Sequence, residues 1–220
     1  MNRTRRLDIG KFTIREPFTV CVPFTKDQQL LYDAIISFRK EVLRLSYDPL
    51  VIRLITGILE RQAASCLPAL IPTLDKFIKT GRFSTVTDDP ESEEDIELPN
   101  HLIEKARALR KMASSMPDDD PKLDSLLKII SETMNSKGPG KILIFSYFIH
   151  TLSYLERHLQ QRGYRVAVIT GQVKDEVREW LRERFRLSRD NPEAIDILLS
   201  SEVGCEGLDY EFCSRLVNYD

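Results

Sequence analysis

No apolar stretch in the 220-residue chain reaches the roughly 18 residues that a membrane-spanning helix requires. The arginine-rich start at Met1–Lys11 has no apolar run behind it and so does not read as a secretory leader. The expected setting is therefore the bacterial cytoplasm, or the nucleus of a eukaryotic cell, with no membrane partner. Cysteine is sparse: Cys21, Cys66, Cys205 and Cys213 form no CxxC pair. His101, His150 and His158 do not join them at ligand spacing, which excludes a recognisable metal site and leaves reduced, mostly buried thiols as the expectation. Also missing is G-x-x-x-x-G-K-[ST], because Gly138-Pro139-Gly140-Lys141 runs straight into Ile142 and opens a strand rather than a helix. No acidic DExx box follows a strand where it would hold magnesium. Phosphoryl transfer needs a phosphate cradle, a metal and a charge-stabilising arginine together, so the chain alone is expected to be catalytically silent.

What is present suits a globular protein of one or two domains, with 42% apolar and 30% charged residues. Net charge is only -2, but its distribution is uneven. Residues 1–80 carry 13 basic and 8 acidic side chains, whereas 81–100 carry Arg82 against seven acids. A basic amino-terminal part can face phosphates, and solvated helix faces account for the same excess.

Phe18–Phe24 alternates as a short strand would. Thr25 with Gln28 three residues on reads as a capping box, opening a helix over Lys26–Leu45 that places Leu30, Leu31, Ala34, Ile35, Phe38, Val42 and Leu45 on one face. Two further helices are predicted over Leu50–Ala64 and Pro68–Lys79. The apolar pattern collapses between Gly81 and Asn100, where the acidic run Asp88–Glu97 has too little apolar surface to offset the entropy of ordering. The organisation read from this is 1–83 as a strand and helical segment, 84–98 as an acidic flexible loop, and 99–220 as helices leading into an α/β lobe.

Helical spacing returns at His101–Ser115 and at Leu123–Met134, the latter behind an Asp120 cap with Pro121 in first position. From Lys141 the grammar changes. KILIFS reads as a buried strand; Tyr147–Gln161 as a helix with Phe148, Leu152, Leu155 and Leu159 inward; Arg165–Thr170 as a strand. A helix over Lys174–Leu187 with Val177, Trp180, Leu181 and Phe185 on its apolar side follows, then the strands Ile195–Ser200 and Arg215–Tyr219. Such alternation predicts a parallel sheet with right-handed crossovers, whose ligands meet the carboxyl ends of the strands. Those ends carry Ser146, then Thr170 with Gly171, then Ser200 with Ser201. Small hydroxyls and glycine at strand-to-helix junctions let backbone N–H groups approach phosphates, and they are also ordinary helix caps. Beyond Ser201, Gly204 and Gly207 flank acidic residues in a loop between two strands, a spacing that a tight turn also explains.

The ordered series KILIFS, YLERHLQQRGYRVAVITG and ILLSSEVGCEGLDYEFCSRLVNYD resembles motifs IV, IVa and V of the second RecA-like lobe of superfamily-two helicases, and its VNYD ending resembles the RapA-like branch of the SWI/SNF group. The arginine pair and QxxLYD helix of the first 33 residues, ASCLPAL and DPKLDSLL resemble that group's earlier landmarks in the same order. The resemblance implies a RecA-like parallel sheet with flanking helices, in an ATP-dependent nucleic-acid translocase that binds ATP and magnesium when intact. It implies Ser146, Thr170, Gly171, Ser200 and Ser201 along a DNA or RNA backbone, and Gly207, Asp209 and Glu206 in the ATP cleft. Partners implied are the first RecA-like lobe and, by kinship with the RapA-like branch, RNA polymerase. The last arginine-bearing motif would fall after Asp220, and no ligand is expected on the chain by itself. Ser201 stands where related motors often carry threonine, and Glu202 where many carry aspartate. The alternatives from other classes are a non-catalytic, Rossmann-like protein-interaction module, which an exposed apolar patch on the helices would favour, and a nucleotide-sugar transferase lobe, for which no nucleophile-and-base pair is in view.

Overall fold

The computed structural model describes residues 16–45, 49–83, 96–97, 99–202, 213 and 215–220, with the backbone alone at 49–56, 83 and 96. Its order is four helices with a two-residue hairpin ladder between the third and fourth, then a fifth helix and an alternating β/α unit.

Helix α1, Lys26–Val42, starts at the predicted capping box. Gln28 N donates to Thr25 Oγ1 at 3.2 Å, and Thr25 N donates to Gln28 Oε1 at 3.0 Å. Leu31, Ile35, Phe38 and Val42 are buried, but Leu30 is 61% exposed. It lies one residue, about 100° of turn, off the stripe that faces the neighbouring helices. Phe18–Phe24 forms no strand. It has no ladder partner among the described residues, Pro23 lacks a donor, and Phe18, Val20 and Phe24 are exposed. Phe18 instead lies under the Arg215 guanidinium, 5.5 Å from the ring centre.

Helices α2, Pro49–Ser65, and α3, Leu70–Thr80, follow. Strand β1, Arg82–Phe83, pairs antiparallel with β2, Ile96–Glu97, so residues 96–97 of the expected acidic loop lie in a short ladder. Helix α4, Asn100–Ser114, completes a helical unit. Its core joins Leu31, Ile35 and Phe38 of α1 to Leu59, Leu74, Phe77, Leu102 and Leu109, with the Phe38 and Phe77 rings 6.1 Å apart. At roughly 25 cal/mol per Å² of apolar surface removed from water, side chains this deeply covered hold the unit together. Ion pairs such as Arg110–Asp75 at 2.9 Å lie on its rim and contribute little.

Helix α5, Pro121–Asn135, begins at Asp120, whose Oδ1 accepts from Lys122 N and Leu123 N at 3.1 and 3.3 Å. Then come β3, Ile142–Phe145; α6, Ile149–Gln161; β4, Val166–Ile169; α7, Asp175–Arg186; β5, Ile197–Ser200; and β6, Arg215–Asn218. Gly163, at φ 82°, turns the chain out of α6, its N–H reaching Gln160 O at 2.9 Å. The sheet order is β4-β5-β3-β6 with every pairing parallel. Side chains alternate across it as strand geometry requires. Ile142, Ile144, Ile197 and Leu199 face α5, α6 and the α2–α3 corner at Cys66 and Ala69. Leu143, Leu198, Ala167 and Ile169 face α7 through Phe185.

Helix α7 departs from expectation. Phe185 is buried and Leu181 half-buried, whereas Val177 and Trp180 are 45% and 53% exposed. Only the second half of α7 rests on the sheet, and the Arg184 guanidinium lies over the Trp180 ring at 4.1 Å. No helix among the described residues is long and apolar enough to cross a membrane.

Candidate functional site

Parallel register aligns the strand ends. Phe145 is level with Ser200 and Asn218, and Ile169 with Ser200. The next residues, Ser146, Thr170, Ser201 and Tyr219, therefore form one row along the carboxyl edge. Ladder bonds hold it: Ser146 N to Ser200 O and Ser201 N to Ile169 O at 3.1 Å, and Tyr219 N to Phe145 O at 2.9 Å. The three hydroxyl-bearing tips thus come together on a single sheet edge.

Their side chains differ in what they face. Ser146, Ser200 and Ser201 are buried. Ser146 Oγ donates to Asp220 Oδ1 at 2.8 Å and accepts from Phe148 N at 3.2 Å, while Ser200 Oγ donates to Ser201 O at 2.8 Å. Thr170 and Gly171 are half-buried at the edge, on a turn closed by Val173 N to Thr170 O at 3.1 Å. Arg178 braces it, donating to Val173 O at 2.8 Å and Gly171 O at 3.0 Å. Gly207, Asp209 and Glu206, expected in a nucleotide cleft, lie outside the described residues.

Sequence reasoning missed the polar seam that joins this edge to the helical unit. Asp220 Oδ1 accepts from Ser65 Oγ at 2.6 Å as well as from Ser146, and Oδ2 accepts from Tyr147 N at 2.5 Å. Ser65 Oγ and Thr151 Oγ1 are 3.0 Å apart. Lys122 donates to the carbonyls of Ala64 and Ser65 at 3.1 and 2.8 Å, where the last turn of α2 presents unsatisfied acceptors, and stands 4.5 Å over the Tyr219 ring. Burial lowers the Lys122 ammonium below its ordinary range, against the opposing pull of Asp220. Asp120 Oδ2 accepts from Tyr154 Oη at 2.7 Å, and burial first, then this carboxylate, raises the phenol. These partners lie up to 155 residues apart, so no local spacing could have disclosed them.

At the outer rim Arg61 lies 4.9 Å from the Tyr147 ring centre. His150 is held below the usual imidazole range by burial and then by Lys76. Thr170 and Gly171 supply a hydroxyl and backbone groups at the carboxyl edge, and Arg61 supplies a cation beside Tyr147. Among the described residues no group of three His, Cys, Asp or Glu side chains could hold a metal ion. The Gly138–Lys141 run does not fit a nucleotide phosphate loop either: it leads into β3 at the opposite end of the sheet, and Lys141 is buried with its ammonium 3.7 Å from Asp196.

Residues 121–220 match the helicase conserved C-terminal domain family. The uncharacterized ATP-dependent helicase YqhH of Bacillus subtilis (strain 168) is 26% identical over 222 residues, covering 100% of this chain and 34% of that protein. The ATP-dependent RNA helicase RhlB of Shewanella frigidimarina is 30% identical over 100 residues, 46% of this chain and 22% of its own length. The chain thus spans about a third or less of these two relatives. Among solved structures, the Pyrococcus furiosus Hef helicase domain superposes with a TM-score of 0.56 at 18% identity, over 90% of this chain and 48% of that one. The C-terminal part of the Fun30 ATPase domain gives 0.54 at 20% identity, over 90% and 73%. The shared fold therefore extends into the helical unit, beyond the residues the family covers.

Proposed function

Because residues 121–220 match the helicase conserved C-terminal domain family, we propose that the chain is the second RecA-like lobe, with its preceding helical segment, of an ATP-dependent nucleic-acid translocase of the SWI/SNF type, RapA-like branch. The observation that carries this reading is the convergence of Ser146, Thr170 and Ser201 on one carboxyl edge of a parallel sheet. A polynucleotide backbone laid along that edge meets Thr170 and Gly171 directly. Ser146, Ser200 and Ser201 act from beneath by holding the tips in register, and Arg61 and Lys76 extend the cationic rim onto the helical unit.

Glu206, Gly207 and Asp209 line the ATP cleft against the first lobe, which supplies the phosphate loop and the magnesium ligands; the chain alone turns over no ATP. The intact motor works in the bacterial cytoplasm, or in the nucleus of a eukaryotic cell, with RNA polymerase as a partner. Contacts made to phosphates give weak, sequence-indifferent binding whose logarithm falls linearly with the logarithm of salt, by about 0.7–0.9 per phosphate neutralised.

Anisotropy titrations of the 220-residue chain with mixed-sequence single-stranded and duplex DNA and RNA, at several KCl concentrations, test this. Thr170→Glu, which puts a negative charge on the edge, should weaken binding severalfold. Affinity unmoved by salt and by Thr170→Glu refutes the assignment. Turnover of ATP by this chain, stimulated by nucleic acid and lost in Asp209→Ala, refutes its silence. Exposed Val177 and Trp180 on α7 favour the second reading, a protein-interaction module, and a partner captured through Trp180 with no polynucleotide binding would establish that reading instead.

A further inference from the structure

At the opposite end of the sheet from the hydroxyl tips, the amino ends of β3, β4 and β5 gather an unbalanced set of charges. The Asp196 carboxylate is buried. Arg165 holds it with two bonds of 2.8 Å, Nε to Oδ2 and Nη2 to Oδ1. The Lys141 ammonium stands 3.7 Å from the same carboxylate and Arg189 Nε 3.6 Å from it. Three cations thus share one carboxylate; Lys141 is only 2% exposed and is screened little by water, whereas the Arg165 and Arg189 side chains are 33% and 39% exposed. Burial lowers the Lys141 ammonium most, with Arg165 and Arg189 adding to the effect and Asp196 opposing it.

A cavity of about 410 Å³ opens beside this cluster, lined by Gly138, Lys141, Arg186, Ser188, Arg189 and Asp190 among others. Arg189 is positioned there by the backbone: Gly140 adopts φ 62°, and a Cβ at that position would meet Arg189 Cδ at 2.8 Å. Arg189 Nη1 also donates to Met134 O at 2.8 Å. Arg186, on the mouth, has Glu183 3.9 Å away, and both are more than half exposed.

We propose that this pocket binds a small phosphorylated molecule, its phosphoryl group set against Lys141, Arg186 and Arg189. Two guanidinium groups and an ammonium in one lining suit a multiply charged phosphoryl group, and the volume admits more than the bare ion. A phosphoryl group would offset the positive charge left over when Lys141, Arg165 and Arg189 share Asp196, a surplus that the Asp190 carboxylate in the lining reduces. The proposal is independent of the polynucleotide track, from which the length of the strands separates it.

Calorimetric titration of the 220-residue chain with inorganic pyrophosphate and, separately, with adenosine 5′-monophosphate tests it. Saturable one-to-one binding is expected, weakened about tenfold in Arg186→Gln by loss of one charge-assisted contact and unchanged in Thr170→Glu. Tighter binding of the monophosphate than of pyrophosphate would identify an organic phosphate as the occupant, and the reverse order a free phosphate. The exposed Arg186 makes its variant safe to fold; Arg189→Gln, checked by circular dichroism, supplies a second reading. No saturation by about 10 mM, where affinity would be weaker than about -2.7 kcal/mol, overturns the proposal. So does affinity that Arg186→Gln leaves intact, and if Thr170→Glu alone weakens it the anion sits at the strand tips.

Discussion

Asp196→Asn is the sharpest test of how the lobe is held together. The substitution keeps the shape of the side chain and removes the one carboxylate that Lys141, Arg165 and Arg189 share. The new amide turns an N–H toward these donors, which are left with backbone carbonyls only: Ile195 O for Lys141, Asn191 O and Arg189 O for Arg165, and Met134 O for Arg189. Breaking a buried ion pair by removing one partner costs about 3–5 kcal/mol. The Arg165 side chain is 33% exposed, so solvent recovers part of its charge, and about 2–4 kcal/mol is expected. For a chain of this size each kcal/mol moves the melting temperature by about 2–4 °C, which places the drop at roughly 4–16 °C. Urea and thermal unfolding followed by circular dichroism measure it. Adding Arg165→Met to Asp196→Asn should cost far less than the two single changes summed, because the cation left stranded by the first is removed by the second. A melting temperature within about 2 °C of the parent, or strict additivity in the pair, would refute the account of this cluster.

Two further outcomes follow from other buried groups. Asp120→Ala removes both the α5 cap and the acceptor of the Tyr154 hydroxyl, and should cost about 2–4 kcal/mol by urea unfolding; Asp120→Asn, which keeps a capping oxygen, should recover at least half. The Cys66 thiol is pushed up from 9.0 to about 12, mainly by burial. The folded chain therefore keeps a proton that the unfolded chain releases, so this contribution is intact below about pH 9 and declines as pH rises from there toward 12. Parent and Cys66→Ala should accordingly differ in the slope of stability against pH between about 9 and 11, by on the order of 1 kcal/mol per pH unit, and parallel slopes would show that burial does not hold the thiol neutral.

The ordered motifs and the element grammar were legible because they depend on short-range physics. The Thr25–Gln28 box, the Asp120 cap with Pro121 and the Gly163 stop each satisfy backbone groups within three or four residues. Buried parallel strands declare themselves as unbroken apolar runs such as KILIFS. The family resemblance rested on the same short segments, and the match over residues 121–220 bears out its helicase part. Periodicity is less informative about which face is used: it marks a stripe but not the neighbour that covers it. Leu30, Val177 and Trp180 are apolar residues of amphipathic helices and are nevertheless exposed, because Leu30 lies one residue off the buried stripe of α1 and only half of α7 reaches the sheet.

Taken alone, the chain's letters determined the alternation of strand and helix, and with it the parallel sheet and the alignment of Ser146, Thr170 and Ser201 at one edge. That edge follows from topology, since parallel strands joined by right-handed crossovers must bring their carboxyl ends to the same side. Tertiary structure alone decided which hydroxyls turn inward, that Asp220 and Lys122 stitch the lobe to Ser65 at the end of α2, and that three cations converge on Asp196. Those outcomes depend on hydrogen bonds and charges between residues 7 to 155 positions apart. Their strength comes from burial, which exists only once the chain has packed.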